Sequence, residues 1–490
     1  MTIDIRNVSK FNGKDSVSTL GFTNDQKTAY GKLIKFINDP YNPNDYKRAL
    51  VGAAGTGKTY LVKALIKNCG LAYSVIGLAA PTHKACRVLN ESIGITNCKV
   101  NTLQSDLGLR LNFDVEKFNI NNPPFDPKGK IKIKDYQLYI IDESSMINRG
   151  LMLFLEKVCK SNKCKIIYIG DDSQLAPVNE AYSAAFKGIK TSILKEIVRQ
   201  GDDNPISYLL ELLRYDIKNK SFTFLNYISK YRSKFNIDNT KGYQVCNTAE
   251  FNNIVYTNFS DESLTRNIDF AKVIAYTNNA VSSWNKFIRN AIIKDAEKSV
   301  ITKNDLIISY TTIVNQFNDC IIKNSEEYIL KDVVNYVHPR YQLKGFMVRF
   351  TAIHGGMSTS PLFIIDHKDS FTVNMYVKLS RELVEIAKHA NSKVRAQRWR
   401  EYFEFKESCL LLTNIINKFG DIEFSRDIDY GFALTSHKSQ GSTFDTSLVD
   451  VDDIVFDKYG HPYANAEETN RRLYVACSRC KNKLYLKYGK

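Results

Sequence analysis

The sequence predicts an α/β fold built on parallel sheets. Apolar segments at 48–51, 75–80, 136–141 and 165–169 have the length of buried strands, and segments with the apolar spacing of helices lie between them. Strands that alternate with helices form parallel sheets, because a helical crossover brings the chain back to the same end of the sheet. Polar motifs follow these strands directly. Since ligands bind at the carboxyl ends of parallel strands, we expect the functional site there.

The first strand is followed by segment 52–59, Gly-Ala-Ala-Gly-Thr-Gly-Lys-Thr, which fits the phosphate-loop pattern G-x-x-x-x-G-K-[ST]. Glycines let the backbone turn tightly so that its N–H groups surround a polyphosphate, and the helix predicted at 60–66 adds partial positive charge. Lys58 is predicted to contact the β- and γ-phosphates, and the Thr59 hydroxyl to bind Mg²⁺. A glycine-rich turn is the alternative, but the flanking strand and helix favour a site for a nucleoside triphosphate.

Two carboxylates follow the third strand, and an amide follows the fourth. Asp142 is a candidate Mg²⁺ ligand, while Glu143 is a candidate to orient and deprotonate an attacking water. Gln174 is predicted to contact the γ-phosphate, with an ordinary turn amide as the alternative. An acidic pair after an apolar strand is a weak signal alone, and its place downstream of a phosphate loop makes it specific.

The composition favours a polyanionic partner and does not predict a membrane span. Lys and Arg number 68 against 52 for Asp and Glu, which gives a formal net charge of +16. Such an excess is typical of proteins that bind nucleic acid, and a generally solvated basic surface is the alternative. No apolar run approaches the ~18 residues of a transmembrane helix, and the polar start does not predict a signal peptide. The ten scattered cysteines are expected to be reduced thiols in the cytoplasm.

The order of the motifs is informative in itself. They are the phosphate loop, 80–83, 142–143, 170–178, 198–200, 275–279 with Asn285, 434–441 with 444–445, and 473–479. This set resembles the superfamily 1 helicases, and most closely the RecD/Dda branch with the Dda-type helicases of T-even phages. The form Ser436-His437-Lys438-Ser439-Gln440-Gly441 is the closest to that branch. One departure is Ala476-Cys477-Ser478-Arg479, where relatives commonly have ALTR or GVTR. The arginine is kept, so only local packing is expected to differ.

The resemblance implies roles for further residues around ATP and Mg²⁺. Arg199 and Arg479 are expected to contact the phosphates from a second motor domain, and Gln26 is expected to pair with the adenine edge. The alternative for Gln26 is a helix cap made with Thr23 or Asn24. The expected nucleotide contacts are Gln26, Gly52, Ala53, Ala54, Gly55, Thr56, Gly57, Lys58, Thr59, Tyr60, Gln440 and Gly441. The expected catalytic residues are Lys58, Thr59, Asp142, Glu143, Gln174, Arg199 and Arg479, with Thr59 and Asp142 as metal ligands.

By the same resemblance the partners are single-stranded DNA and forked duplex DNA. Phe125 lies at the turn of a hairpin predicted from strands near 117–120 and 131–134, where it is the candidate wedge between base pairs. An aromatic side chain packed on its own domain is the alternative for Phe125, and a buried structural histidine is the alternative for His437. The expected nucleic-acid contacts are Pro81, Thr82, His83, Thr102, Gln104, Phe125, Asn278, Ser436, His437 and Lys438.

The resemblance also divides the chain into domains. It implies a RecA-like motor domain at 1–198 with a β-hairpin pin at about 106–135, and a second RecA-like parallel-sheet domain made of 199–300 and 430–490. Residues 301–429 are expected to form an SH3-like barrel with a helical tower. Short alternating runs predict strands independently, and a helical stretch follows them at 380–419. The runs are 305–310, 327–333, 345–351, 360–366 and 371–376.

Together these features predict an ATP-dependent DNA helicase that moves 5′→3′ along single-stranded DNA and separates duplex DNA. It is expected to act as a monomer away from membranes, in the host cytoplasm if the chain is viral, with single-strand-binding or replisome proteins as further partners. An RNA helicase of the same superfamily is an alternative, because contacts to the backbone do not exclude 2′-hydroxyls. A translocase that displaces proteins is another. The intact Lys58, Asp142 and Glu143 disfavour a binding module without ATPase activity.

Overall fold

The computed structural model describes residues 21–489 except 99, 110–129, 178, 179, 181, 197–203, 261–266, 295, 315–319, 354, 355 and 357. The described residues form two compact units. The first unit is drawn from 21–172 and 176–196, and the second from 173–175 and 204–489. In the part of the chain that the structure describes, no helix has both the length and the apolar character needed to cross a membrane.

The first unit is organised around one parallel sheet. Its strands, numbered in chain order, are β1 (Lys47–Gly52), β2 (Ile76–Ala80), β3 (Val100–Thr102), β4 (Leu138–Ile141), β5 (Lys165–Gly170) and β6 (Thr191–Leu194). Their order across the sheet is β3-β2-β4-β5-β1-β6. Every residue of β2, β4 and β5 is buried, as expected for parallel strands covered on both faces. The helices are α1 (Asn24–Asn38), α2 (Lys58–Asn68), α3 (His83–Ile93), α4 (Leu103–Asp106) and α5 (Arg149–Ser161).

The second unit contains a second six-stranded sheet. Its strands are β7 (Ser233–Phe235), β8 (Gly242–Cys246), β9 (Ala271–Ala275), β19 (Ala433–Thr435), β20 (Phe444–Asp450) and β21 (Cys480–Lys487). The order is β19-β9-β20-β21-β8-β7, and only β7 runs antiparallel to its neighbour. The helices of this part are α6 (Ile206–Asn219), α7 (Thr223–Lys230), α8 (Thr248–Ser260), α9 (Asn278–Ile292), α12 (Val451–Val455) and α13 (Ala466–Ser478).

A long excursion between β9 and β19 forms an antiparallel sheet of its own. Its strands are β10 (Leu306–Ser309), β13 (Glu327–Val337), β14 (Lys344–Ala352), β15 (Leu362–Ile365) and β18 (Ile428–Tyr430), in the order β15-β14-β13-β10-β18. Two short pairs accompany it, β11 (Ile313–Val314) with β12 (Cys320–Ile322) and β16 (Ile415–Ile416) with β17 (Ile422–Phe424). Two helices, α10 (Ser370–His389) and α11 (Ser392–Ser408), complete this excursion.

Two buried ion pairs join the excursion to the parallel sheet of the second unit. Lys272 on β9 donates to Glu327 on β13 at 2.6 Å, and to the carbonyl of Gly431 at 2.7 Å. Arg289 on α9 donates to both carboxylate oxygens of Asp305, at 2.6 and 3.0 Å. All four charged side chains are at most 5% exposed. A buried charge without its partner is costly, so these pairs hold the excursion in one orientation on the sheet.

The structure confirms the α/β class and most of the predicted elements, and it corrects three of them. The helical stretch expected at 380–419 ends at Ser408, and Ile415–Ile416 form the short strand β16. The run 371–376 was expected to be a strand but lies in α10, because Asp369 caps the helix by accepting from the backbone N–H of Thr372. The expected strand at 131–134 is wrong, since Lys132–Asp135 forms a 3₁₀ turn. The partner strand at 117–120 lies outside the described residues. The domain boundaries, the pin and the SH3-like assignment stay predictions.

We expect Lys272→Ala to destabilise the second unit by about 3–5 kcal/mol, because the carboxylate of Glu327 would stay buried without its partner. Chemical denaturation followed by fluorescence measures the change. Replacing both members of the pair, Lys272→Met with Glu327→Leu, should recover much of the loss. The control is Lys388→Ala, which breaks an exposed pair with Glu385 and should cost about 0–1 kcal/mol. Equal effects of Lys272→Ala and Lys388→Ala would show that the buried pair does not stabilise the unit.

Candidate functional site

The loop between β1 and α2 has a backbone that requires glycine at specific positions. Gly55 and Gly57 adopt left-handed backbone angles, with φ of 84° and 77°. A Cβ on Gly52 would lie 2.6 Å from the Thr56 hydroxyl oxygen, a distance that atoms do not tolerate. Lys58 begins α2 and donates to the carbonyl oxygens of Gly52 at 2.6 Å and Ala53 at 3.0 Å. The lysine therefore lies across the loop, in position to bind an anion with the backbone N–H groups.

Gln26 connects α1 to this loop. Its backbone N–H donates to the Thr23 hydroxyl, while its side-chain oxygen accepts from the Thr23 backbone N–H at 3.1 Å. This is a capping box, so the predicted helix cap at Thr23 is confirmed. The side-chain Nε2 also donates to the carbonyl of Thr56 at 2.9 Å. Beside it, the Tyr60 ring meets Phe22 edge to face and is 43% exposed, which offers an apolar face to a planar base.

Asp142 and Glu143 follow β4 at the same end of the sheet as the phosphate loop. The Glu143 backbone N–H donates to the Asp142 carboxylate at 2.9 Å. Burial raises the pKa of Asp142, and this hydrogen bond together with the charge of Lys58 acts in the opposite direction. Glu143 has a left-handed φ of 50°, which is uncommon for a residue with a side chain. Such backbone strain is often found at functional positions.

Two more predicted segments lie side by side at this edge. Parallel pairing of β2 with β3 places Ala80 opposite Thr102, so the residues after both strands are neighbours. The Thr82 hydroxyl accepts from the backbone N–H of Ala85 and caps α3, and the Thr102 hydroxyl accepts from Ser105 and caps α4. A threonine hydroxyl that accepts a hydrogen bond still carries an O–H donor, and Thr82 is partly exposed while Thr102 is buried. Pro81 is buried and His83 partly exposed, and Gln104 is buried at the start of α4.

In the second unit, Gln174 and Gln440 lie within hydrogen-bond reach of each other. The Gln440 Nε2 is 3.5 Å from both the Gln174 side-chain oxygen and the Leu175 carbonyl. Gly441 follows with a left-handed φ of 71°. Arg471 on α13 donates to the carbonyl of Gln174 at 2.9 Å. Sequence reasoning missed Arg471, although it stands just ahead of the predicted motif at 473–479.

Arg479 stands at the end of α13 and is 5% exposed. Its guanidinium donates to the carbonyls of Val475 at 3.1 Å and Ser442 at 3.2 Å, and to the hydroxyl of Ser478 at 2.8 Å. These three partners are neutral, whereas the structural alternative for Arg479 is an ion pair with an Asp or Glu of the second motor domain. Its role at the phosphates stays a prediction.

Lys438 and Asn278 are both linked to the ring of Tyr310, Lys438 directly and Asn278 through Arg426. Their parent strands β9 and β19 are parallel neighbours, with Ala275 opposite Thr435. The Lys438 Nζ lies 4.6 Å from the centre of the Tyr310 ring. Arg426 lies 4.4 Å from the same ring and donates to the Asn278 side-chain oxygen at 3.0 Å. Tyr310 and Arg426 come from the excursion, and no sequence motif pointed to them.

Ser436 is buried, and His437 beside it is half-buried. The Ser436 hydroxyl donates to the carbonyl of Ala275 and is buried. Burial, together with the nearby charge of Arg472, lowers the pKa of His437 to about 4, so the imidazole is neutral at pH 7. Arg472 lies 3.5 Å from the centre of the Tyr276 ring, a close cation–π contact. No sequence motif pointed to a role for Arg472 beside His437. The buried-histidine alternative for His437 is consistent with this environment.

Two predicted site residues lie outside the described part of the chain. Arg199 falls in 197–203, and Phe125 falls in 110–129. Their roles stay predictions.

Comparison with known proteins gives one family match and several relatives. A family model described as an AAA domain matches residues 37–229. An uncharacterised protein of Acanthamoeba polyphaga mimivirus is 24% identical over 94% of this chain and 99% of its own. The ATP-dependent RecD2 DNA helicase of Deinococcus radiodurans is 33% identical over 32% of this chain, a match that spans 20% of that helicase. The crystal structure of the Pif1 helicase from Candida albicans matches with a TM-score of 0.50 at 17% identity, over 96% of this chain and 94% of that chain.

The fold, the phosphate loop with its acidic pair, and these matches define an enzyme of the helicase-type ATPase class. Within that class the chain is similar in sequence to the RecD2 helicase and in fold to the Pif1 helicase. The closer likeness to Dda-type helicases stays a prediction.

We expect Glu143→Gln to keep nucleotide binding and to hydrolyse ATP at least ~10²-fold slower, because the amide cannot accept a proton from water. Steady-state phosphate release and equilibrium binding of a fluorescent nucleotide measure the two effects. The matched control is Glu91→Gln, an exposed position on α3. Turnover near that of the parent would remove Glu143 from the role of base.

Proposed function

We propose that the protein is an ATP-dependent DNA helicase that moves 5′→3′ along single-stranded DNA and unwinds forked duplexes. The observation that carries the proposal is the shared edge of the first sheet. The phosphate loop, Asp142 and Glu143 lie at this edge together with the capping hydroxyls of Thr82 and Thr102. Groups suited to a nucleoside triphosphate and groups suited to a nucleic-acid backbone therefore follow neighbouring strands of one sheet.

The residues around the loop fit Mg²⁺ with ATP. Among the described residues there is no group of three or more His, Cys, Asp and Glu side chains that could hold a metal alone. Mg²⁺ in phosphoryl-transfer sites takes one or two protein oxygens and completes its shell with phosphate and water. Thr59 and Asp142 would supply those oxygens, and the ion would neutralise charge on the phosphates. Lys58 would bind the β- and γ-phosphates, and Glu143 would orient the attacking water.

The base would lie beside α1. Tyr60 presents its exposed face next to Gln26, and a purine ring can stack on it. The side-chain oxygen and nitrogen of Gln26 both have intramolecular partners, Thr23 and Thr56. Pairing of Gln26 with adenine therefore requires one of these hydrogen bonds to be exchanged.

Each unit carries its own candidate contacts to the nucleic-acid strand. Thr82, His83 and Thr102 belong to the first unit, and Asn278 and Lys438 to the second. Hydroxyl, amide and ammonium groups suit phosphate oxygens, and the Tyr310 ring beside Lys438 offers a stacking surface. Contacts of this kind are independent of base sequence, as translocation requires. The net charge of +16 favours the same partner.

The finer assignments belong to this proposal as well. The pin at 106–135 would split the duplex, residues 301–429 would form an SH3-like barrel, and the protein would act as a monomer. All ten cysteines are free thiols, which is typical of proteins in a reducing cytoplasm.

The direction of movement is tested with two duplexes that differ only in carrying a 5′ or a 3′ single-stranded tail. We expect ATP-dependent strand separation with the 5′ tail and none with the 3′ tail. Lys58→Ala is the control for dependence on ATP. Separation from the 3′ tail alone would reverse the proposed polarity. ATP hydrolysis with oligo-dT but without separation of either duplex would favour a translocase, and stimulation by poly-U above poly-dT would favour an RNA helicase.

We expect Arg479→Ala to lower DNA-stimulated ATP hydrolysis by about 10³-fold or more, the scale of an arginine that stabilises the transferring phosphoryl group. Arg479→Lys should restore little, because an ammonium lacks the planar fork. Arg214→Ala is the control. Arg214 on α6 packs against Tyr474 of α13, the helix that Arg479 follows. Thermal melts accompany the assay. Turnover within about tenfold of the parent, or a collapsed melt, would make Arg479 a structural residue that ties α13 to Ser442.

A further inference from the structure

A cavity of about 530 Å³ opens in the second unit, where α9 meets the excursion. Its walls are the outward side of α9, residues 296–300, the turn at 367–368 after β15, and residues 412–414 and 426–430. Asn278, the predicted nucleic-acid contact, lies at the start of α9 and lines the same cavity. The other polar groups of this cavity are not used by the proposed ATP chemistry.

Two arginines in the walls already have protein partners. Arg289 binds Asp305 with two hydrogen bonds and also donates to the carbonyls of Ala296 and Ser299. Arg426 pairs with Asp429 at 2.7 Å and donates to Asn278 and to the Tyr310 hydroxyl. Because their donors are engaged, these arginines set the shape of the cavity rather than bind within it.

Two lysines and a histidine supply binding capacity. Lys286 on α9 and Lys368 after β15 line the cavity and are exposed, and Lys368 makes one hydrogen bond, to the Glu297 carbonyl at 3.0 Å. Among the described residues, the buried Nδ1 of His367 has no hydrogen-bond partner. Burial lowers the pKa of His367, and the charges of Lys368, Lys286 and Arg289 add to this, against Asp366. The imidazole is therefore neutral and can donate one hydrogen bond and accept another.

The lining chemistry fits a phosphate. Four cationic side chains face two carboxylates, Asp429 and Glu297, and Asp429 is already paired with Arg426. A cavity lined by two exposed ammonium groups, with the imidazole of His367 beside them, stabilises an anion with several acceptor oxygens. Buried polar atoms are nearly always hydrogen-bonded, so His367 points to a missing partner.

We propose that this cavity binds a phosphate of the nucleic-acid backbone, held by Lys286, Lys368 and His367 next to the contact at Asn278. The inference rests on the proposed function, since the strand must pass Asn278 to reach the cavity. It adds a contact from the excursion to the contacts that the parallel sheet makes with the nucleic-acid strand. The buried pairs Lys272–Glu327 and Arg289–Asp305 attach the excursion to that sheet.

The test compares the double variant Lys286→Gln/Lys368→Gln with the control Lys218→Gln/Lys234→Gln, which removes the same charge at exposed positions of α6 and β7. Affinity for oligo-dT is measured across a salt series. Losing one phosphate contact should lower the slope of log affinity against log salt by about 0.7, which is about fivefold in Kd at 0.1 M salt. The control should match the parent, and melts should be unchanged for both.

Binding of pyrophosphate distinguishes a site for free phosphates from a site for a phosphate of the nucleic-acid backbone. Its binding is measured by calorimetry in Lys58→Ala protein, in which the phosphate loop no longer contributes, with and without the double variant. An unchanged salt slope with loss of pyrophosphate binding would assign the cavity to free phosphates and overturn the strand contact. Unchanged binding of both probes would overturn the site altogether. If the parent itself fails to bind oligo-dT, the proposed helicase function fails, and the pyrophosphate arm still decides whether the cavity binds phosphate.

Discussion

The buried ammonium of Lys272 is the constraint on which the arrangement of the second unit depends. It donates to Glu327 in the excursion and to the carbonyl of Gly431, where the chain returns to the parallel sheet. One side chain thus connects β9, the antiparallel sheet and the strand leading back to β19. The bidentate pair of Arg289 with Asp305 repeats the connection one helix away. With two such buried pairs, rotation of the excursion would leave buried charges without their partners in an apolar core.

Parallel pairing turns separate sequence motifs into a shared surface. In the first sheet, Ala80 stands opposite Thr102, so two segments more than twenty residues apart meet at one edge. In the second, Ala275 stands opposite Thr435, which brings Asn278 and Lys438 to the same place. Because parallel strands end at the same edge, each motif needs only to follow its strand to reach the site.

Several predicted site residues also have a structural role. Gln26 caps α1 and supports the Thr56 carbonyl. Lys58 closes the loop over its own carbonyls. Arg479 ties the end of α13 to Ser442. For Gln26, binding a ligand means exchanging an internal hydrogen bond for one to the ligand. Lys58 and Arg479 carry more N–H donors than these hydrogen bonds use, because an ammonium has three and a guanidinium five.

Local patterns were enough for the parallel strands, the phosphate loop and the acidic pair, since burial on both faces leaves continuous apolar runs and glycine is required at left-handed angles. The strand expected at 371–376 failed because alternation over six residues also fits one face of a capped helix, and the cap at Asp369 decides between them. By itself the sequence determined the chemistry of the loop and its place after β1. Only the tertiary structure decided that Tyr310, Arg426 and Lys438 meet, and that His367 and Lys286 line one cavity. These residues come from segments far apart in the chain, and packing of the excursion on α9, rather than any local pattern, brings them together.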